Sequence, residues 1–325
     1  DGQTSGERSD RFIPFIFELD DRAEWTDESK WVKANPGLGT IKSLDALRSN
    51  VSKAKDDPSY LPTVLVKDFD LVENQATAWL SYDDLHNPAT FDIDKMGFTY
   101  AVVGFDASDT TDLTACCALM MRPGDNHIYA LHMAWVTEAS LKVREDAGDR
   151  RGRDAVPYDR WIARGLMRTC PGNIIDKRCA IPWLEELRSD HGIYGVMFGY
   201  DPWHLGRDDQ PTMDAYKGFF GAQNCHEVRQ GAQTLSQPMK ELKAHYHANE
   251  IVDNSDPVAE WCRSNVMVRT DENGNIAPSK KGQDQRIDAF AAELDAWVVM
   301  RNHMDEYKQL IHWTPPEGDD QTSET

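Results

Sequence analysis

Three consecutive apolar segments, each about as long as a buried strand, most constrain the fold of this chain. They are FTYAVVGFD at 98–106, LTACCALMM at 113–121 and HIYALHMAWV at 127–136. A strand that is apolar nearly throughout is typical of the centre of a sheet that is covered on both faces. Because the connections are short and a turn sequence occupies 123–126, we expect the three strands to form an antiparallel meander.

The rest of the second half of the chain predicts strands and covering helices. Pro182 opens a helical segment that stops at Gly192 and leads into IYGVMFGYD at 193–201, which favours a parallel fourth strand. Residues 265–280 predict a hairpin closed by Asn273-Gly274, and an apolar stripe over 287–298 predicts a closing helix. These elements predict an α/β fold with a mixed sheet, an antiparallel meander plus parallel strands, flanked by helices.

Composition and charge exclude several classes of protein. The 325 residues are 40% hydrophobic, which excludes wholesale disorder. No uncharged run approaches the roughly 18 residues that cross a bilayer, so we expect no membrane association. The six cysteines form no C-x-x-C pair and no His cluster completes a zinc pattern, which favours reduced thiols. The formal charge of −20, from 35 Lys and Arg against 55 Asp and Glu, opposes loose whole-surface binding of nucleic acid but leaves room for a local cationic groove.

The chain divides by texture into four parts. Residues 1–35 contain a short apolar run, Ile13 to Leu19, that predicts one strand without an obvious partner. Residues 36–95 are expected to be mostly helical linker, with Ser43 capping a helix to about Lys55 and with Val72, Ala76 and Trp79-Leu80 on one more amphipathic face. Residues 96–313 hold the sheet, and 314–325 form an acidic tail that we expect to be disordered. Because the first residue is not Met, we expect the chain to be part of a longer protein.

Three carboxylates stand where these elements end. Asp106 ends an apolar strand in GFDAS, Asp201 ends another in GYDPW, and Asp288 lies in the first turn of the last helix in QRIDAF. Each alone is equally typical of an N-cap, a turn or a surface charge. If the first and fourth strands are neighbours, the three converge, and a set of carboxylates without His or Cys suits Mg²⁺ or Mn²⁺. Two such ions could clamp the attacking and leaving oxygens of a phosphodiester.

Other candidate sites are weaker. GLGTIKS at 37–43 lacks the second Gly of a phosphate-binding loop, so no nucleotide site follows from it. Lys280, Lys281 and Arg286 form a small basic cluster beside Asp288. Such a cluster is commonly a solvated loop, and here it also stands where a DNA phosphate would need a counter-charge.

Several motifs together resemble a known family. In order along the chain, they are GFDASDTTDLTA at 104–115, GYDPW at 199–203, VRQGAQTLSQPMKEL at 228–242, DPVAEWCRSNVMV at 256–268 and the run from 271 to 297. This set resembles the nuclease half of the large terminase subunit of tailed bacteriophages, the DNA-packaging motor.

The resemblance implies an RNase H-like fold and a metal-dependent endonuclease that cuts concatemeric double-stranded genome DNA with two Mg²⁺ or Mn²⁺ ions. The acidic triad of the family carries over onto Asp106, Asp201 and Asp288. Asp112, and more weakly Asp284, match further acidic positions that could serve as secondary metal or water ligands. The hairpin resembles one beside the catalytic cleft, which would place Lys280 and Lys281 near DNA.

The resemblance also implies partners and a location. ESKWVKANPGLG at 28–39 resembles the stretch that leaves the ATPase domain, so residues 1–35 would be a remnant of that domain. The Walker motifs are absent, and we expect no ATPase activity from this chain. The implied partners are double-stranded DNA, the ATPase domain of the same subunit, the small terminase subunit and the portal protein, in the cytoplasm of the infected host. The rival hypotheses are another RNase H-like nuclease, of resolvase or transposase type, and a non-catalytic module that docks on portal or capsid.

Overall fold

The computed structural model shows two compact units, residues 1–77 and residues 78–325. Within the described residues, no helix is long and apolar enough to cross a membrane. The boundaries expected from the sequence after residues 35, 95 and 313 stay predictions. The structure describes residues 15–56, 60–71, 78–108, 113–142, 156–203, 205, 209–280 and 285–314.

The first unit is a small helical body. After two short 3-10 turns, Arg22–Thr26 and Glu28–Lys30, it contains helix α1, Leu44–Asp56, and helix α2, Leu61–Phe69. The expected cap is present, because the backbone N–H of Ala46 donates to the Ser43 hydroxyl over 3.3 Å. The apolar sides of the helices pack into one core, whose fully buried members include Leu47, Leu65 and Phe69.

Two sequence predictions, one near the start of each unit, are wrong in the part that the structure describes. Residues 15–19 form no strand, and the side chains of Phe15 and Phe17 are 81% and 51% exposed. No described strand pairs with this segment, and an extended backbone without a partner gains no ladder hydrogen bonds. Trp79 and Leu80, expected on a helix face, lie instead in a bend beside a single bridge from Ala78 to Met267.

The second unit is built on a seven-stranded mixed sheet. Its order is β4-β3-β2-β1-β5-β6, and β7 also pairs with β3. The predicted meander is confirmed, because β1–β2 and β2–β3 are antiparallel, and the predicted parallel fourth strand is β5, beside β1. The strands are β1 Tyr100–Asp106, β2 Thr114–Met120, β3 Ile128–Thr137, β4 Met167–Cys170, β5 Tyr194–Tyr200, β6 Cys225–Glu227 and β7 Ile251–Val252.

Helices cover both faces of this sheet, and a separate hairpin stands beside them. The hairpin strands are β8, Val266–Thr270, and β9, Ile276–Lys280, as predicted around Asn273-Gly274. The helices of the second unit are α3 Tyr82–Leu85, α4 Tyr158–Ala163, α5 Ala180–His191, α6 Gln210–Phe220, α7 Ala232–His247, α8 Pro257–Ser264, α9 Asp288–Asn302 and α10 Met304–Leu310. Helices α5 and α6 pack into the core on one face, and α7, α8 and α9 into the core on the other.

Helix α9 lies unusually close to the centre of the sheet. It packs on β1, β2 and β5, and the contact surface contains two glycines that are directly paired, Gly104 on β1 and Gly199 on β5. A Cβ atom on Gly199 would lie 2.6 Å from the backbone oxygen of Asp295. Only glycine permits this approach, because any side chain would meet helix backbone. The pair of glycines therefore fixes the depth at which α9 crosses the sheet.

Candidate active site

Two aspartates stand side by side at the carboxyl edge of β1 and β5. Asp106 is the last residue of β1, and Asp201 directly follows β5. The residues that precede them, Phe105 and Tyr200, are paired in the parallel ladder, so the two carboxylates leave neighbouring strands about 4.8 Å apart. The carboxyl ends of parallel strands are where α/β sheets collect ligands.

Helix α9 brings two more aspartates to the same edge. Asp288 is its first residue and is 4% exposed, and Asp295 is 1% exposed. The two lie seven positions apart, about two helical turns, and so share one face of the helix. The Gln230 side-chain amide donates to Asp295 Oδ1 over 2.8 Å, whereas Oδ2 has no hydrogen bond with any described residue.

The electrostatics show that these acids form one cluster. Burial raises the pKa of Asp106 well above its usual range, and the charges of Asp288, Asp295 and Asp201 raise it further, while Lys280 opposes them. Burial likewise raises the pKa of Asp295 far above normal, with a further contribution from Asp201 and an opposing one from the Gln230 hydrogen bond. A divalent cation would offset the repulsion between carboxylates that are buried this close together.

The donor chemistry of this acid cluster (Asp106, Asp201, Asp288 and Asp295) fits a hard ion. All four side chains offer only oxygen, which suits Mg²⁺ or Mn²⁺, and the buried Oδ2 of Asp295 lacks a protein partner within the described residues. Over the same residues, no three His, Cys, Asp or Glu side chains form a ready-made ligand set. Holding an ion would therefore require the carboxylates to draw together.

The remaining predicted site residues differ in their exposure, and the structure describes only some of them. Lys280 is exposed at the end of β9, on the hairpin, and its charge reaches Asp106. Arg286 is only 8% exposed and its backbone oxygen accepts from Asn265, so its burial limits its availability to DNA. The other three predicted positions, Asp112, Asp284 and Lys281, lie outside the described residues.

A buried polar network holds α9 from its other side. The Tyr246 hydroxyl donates to Glu293 of α9, and Arg263 donates to the Tyr246 hydroxyl oxygen over 2.8 Å and to Asp253. The side chain of His132, on β3, is 2% exposed and lies 3.5 Å from Glu293. Burial alone would raise the pKa of Asp253, but the adjacent Arg263 lowers it. These contacts link α7, α8 and β3 to the helix that carries two members of the acid cluster.

Sequence reasoning missed Asp295, Gln230 and Glu293. The spacing of seven between Asp288 and Asp295 is a signal that could have placed Asp295 on the face of Asp288. Nothing comparable marks Gln230, because its role depends on the parallel pairing of β5 with β6.

Comparison with known proteins identifies the family. A family model described as the terminase large subunit, endonuclease domain, matches residues 7–304. The chain belongs to this family. Membership implies a nuclease, and the sheet confirms the predicted mixed α/β class.

Several known proteins are similar to this chain. The large terminase subunit of Enterobacteria phage HK97 is 24% identical over 278 residues, covering 85% of this chain and 52% of that protein. Its crystal structure matches with a TM-score of 0.56 at 22% identity, over 88% of this chain and 57% of that one. The nuclease domain of the phage SPP1 large terminase, solved with bound Mn, matches less closely, with a TM-score of 0.38 at 14% identity, over 67% of this chain and 94% of that one. The chain spans about half the length of the curated phage terminases that it matches.

Proposed function

We propose that this chain is the metal-dependent endonuclease of a viral DNA-packaging terminase and that it cuts concatemeric double-stranded genome DNA. The observation that carries the proposal is the acid cluster, in which Asp106 and Asp201 leave paired parallel strands and α9 brings Asp288 and Asp295 to the same edge. Such a cluster is costly in a folded protein unless it binds a cation. Together with the family assignment, it favours phosphodiester hydrolysis.

Asp106, Asp201 and Asp288 are the residues that would hold two Mg²⁺ or Mn²⁺ ions, and Asp106 would serve both. When bound, the ions would supply the positive charge that an in-line displacement at phosphorus needs. Asp295 belongs to the same acid cluster, and the hydrogen bond from Gln230 orients its carboxylate. Asp112 and Asp284 remain proposed as secondary ligands.

DNA would be held by local cations, since the chain as a whole carries a formal charge of −20. Lys280 stands on the exposed end of the hairpin within electrostatic reach of Asp106, which favours it as a counter-charge for a backbone phosphate. Arg269, on the other strand of the hairpin, donates from its guanidinium to the backbone oxygen of Gln230 over 3.4 Å. Lys281 follows Lys280 in sequence and is proposed for the same role.

The wider setting belongs to the same proposal. The chain would work in the host cytoplasm, beside the ATPase domain of its own subunit, with the small terminase subunit and the portal protein as partners. Translocation would be powered by the ATPase domain, because this chain carries no Walker motif. Cutting by this chain alone would be weak and indifferent to sequence.

Supercoiled plasmid tests the proposal. The wild-type chain should nick and linearise it with Mn²⁺ or Mg²⁺ but not with EDTA, and Asp106→Asn should abolish cutting while folding is unchanged. Asp190→Asn, an exposed aspartate at the end of α5, is the matched control and should cut normally. Equal cutting by Asp106→Asn would refute the assignment. Absence of both cutting and Mn²⁺-induced thermal stabilisation would favour a docking module.

A further inference from the structure

A cavity of about 660 Å³ opens beside the acid cluster, at the carboxyl ends of β5 and β6. Its lining includes Trp203, Lys217, Glu227, Arg229 and Gln230. Gln230 belongs to both places, since it lines the cavity and its side-chain amide donates to Asp295. The cavity and the acid cluster therefore share a wall.

An exposed tryptophan forms one side of the cavity. Trp203 is 69% exposed, although burying an aromatic side chain of this size would stabilise the fold. Its backbone is nonetheless fixed, because the N–H of Trp203 donates to Asp201 Oδ1 over 3.0 Å. A flat aromatic surface is thus held two residues from a member of the acid cluster.

Cations stand around the same opening. The exposed Arg229 makes no ion pair or hydrogen bond within the described part of the chain, and the half-buried Lys217 projects from α6 into the same lining. In a chain with a formal charge of −20, cations that face a cavity without neutralising a carboxylate point to an anionic ligand. The carboxylate of Glu227 adds an acceptor suited to an exocyclic amine of a base.

We propose that this cavity is a subsite for one unstacked nucleotide of a DNA strand. The base stacks on Trp203, and its phosphate is held by Arg229 and Lys217. Aromatic stacking combined with a cationic groove is how proteins hold single-stranded nucleic acid without reading its sequence. The subsite rests on the proposed nuclease function, and it would draw one strand of the duplex past the acid cluster.

The test measures binding without cutting. A short single-stranded oligonucleotide that contains 2-aminopurine is titrated with the chain in EDTA, and stacking on Trp203 should quench its fluorescence. Trp203→Ala should weaken binding about tenfold, and Trp203→Phe should restore most of it. Arg229→Gln should weaken binding and lower the salt dependence by about one phosphate contact.

Matched controls come from the opposite end of β5. Tyr194 is 43% exposed, and the Arg188 guanidinium lies 5.1 Å above its ring. This pair therefore also combines an exposed aromatic ring with a cation, but at the other end of β5. Tyr194→Ala and Arg188→Gln should bind like wild type. An abasic oligonucleotide should bind wild type and Trp203→Ala alike. Equal quenching by wild type and Trp203→Ala, or no quenching by wild type, would overturn the subsite.

The outcome separates the subsite from the nuclease proposal. If Asp106→Asn fails to cut plasmid while Trp203→Ala binds the oligonucleotide like wild type, the nuclease stands and the subsite falls. If the oligonucleotide binds through Trp203 but no metal supports cutting by wild type, the subsite stands and the nuclease proposal falls.

Discussion

The backbone oxygen of Ala292 lies 2.0 Å from the point that a Cβ atom on Gly104 would occupy. Gly104 sits at the middle of β1 and Ala292 in the second turn of α9, so the helix touches the strand through backbone atoms. This contact sets the height of the whole helix over the sheet. The relative placement of Asp106 and Asp288 depends on it, because one is on the strand and the other on the helix.

Gly104→Ala should lower the free energy of unfolding by about 1–3 kcal/mol, because the added methyl forces α9 away from the sheet. Gly218→Ala is the control, because Gly218 lies inside α6 and an added Cβ would meet open space. This variant should have a free energy of unfolding about 0.5–1 kcal/mol higher than wild type. Urea unfolding measures both. Equal midpoints for wild type and Gly104→Ala would show that α9 does not depend on this contact.

Asp295→Asn should be more stable than wild type at pH 7.5 in EDTA. The folded state raises the pKa of Asp295, so without a cation the wild-type stability falls as pH rises above about 4 towards the folded pKa. Removing the acid should remove this loss, worth about 1.4 kcal/mol for each pKa unit. The advantage of the variant should vanish near pH 4.

Urea unfolding at the two pH values measures the difference, and the same variant should lose cutting with Mn²⁺. A variant that is less stable than wild type at pH 7.5 would mean that Asp295 is ionised and well solvated in the folded chain.

Tyr246→Phe should lower the free energy of unfolding by about 1–3 kcal/mol. The hydroxyl joins Glu293 to Arg263 inside the core, and its loss would leave each of these groups with one hydrogen-bond partner fewer. Tyr194→Phe, at an exposed tyrosine, should change stability by less than about 0.5 kcal/mol. Thermal and urea unfolding compare the two variants. Similar values for both would indicate that water enters the network and replaces the hydroxyl.

Asp125 should stabilise the turn between β2 and β3 in a pH-dependent way. Burial alone would raise its pKa, but hydrogen bonds from Tyr129, His127 and Arg122 bring it well below the usual range. A depressed folded pKa stabilises the chain above the unfolded value of about 3.9, and this stabilisation is lost as pH falls below it. Asp125→Asn should therefore have a lower free energy of unfolding than wild type at pH 6. Urea unfolding at pH 3 should show a smaller difference between the two proteins. A difference in the free energy of unfolding that is the same at both pH values would contradict the depressed pKa of Asp125.

The sequence predicted what long patterns encode. The strands β1, β2, β3 and β5 were predictable because each is a continuous apolar run, and Asp106 and Asp201 followed because they end two of them. The strands β4 and β7 have four and two residues, too few for any periodicity, and exist because they pair with β3.

The members of the site that were missed depend on packing. Asp295 and Glu293 are buried because α9 is enclosed on nearly all sides, a property that a single helix pattern does not reveal. The run at 15–19 fails in the opposite way, since its residues have a strand composition but no described strand pairs with them.

Binding of Mn²⁺, followed by electron paramagnetic resonance, tests whether the acid cluster holds the divalent ions. Wild type should take up two Mn²⁺ per chain. Asp106→Asn should lose both, because its carboxylate is proposed to help to hold each ion, and Asp190→Asn should bind like wild type. Undiminished Mn²⁺ binding by Asp106→Asn would show that the ions bind elsewhere than at the acid cluster.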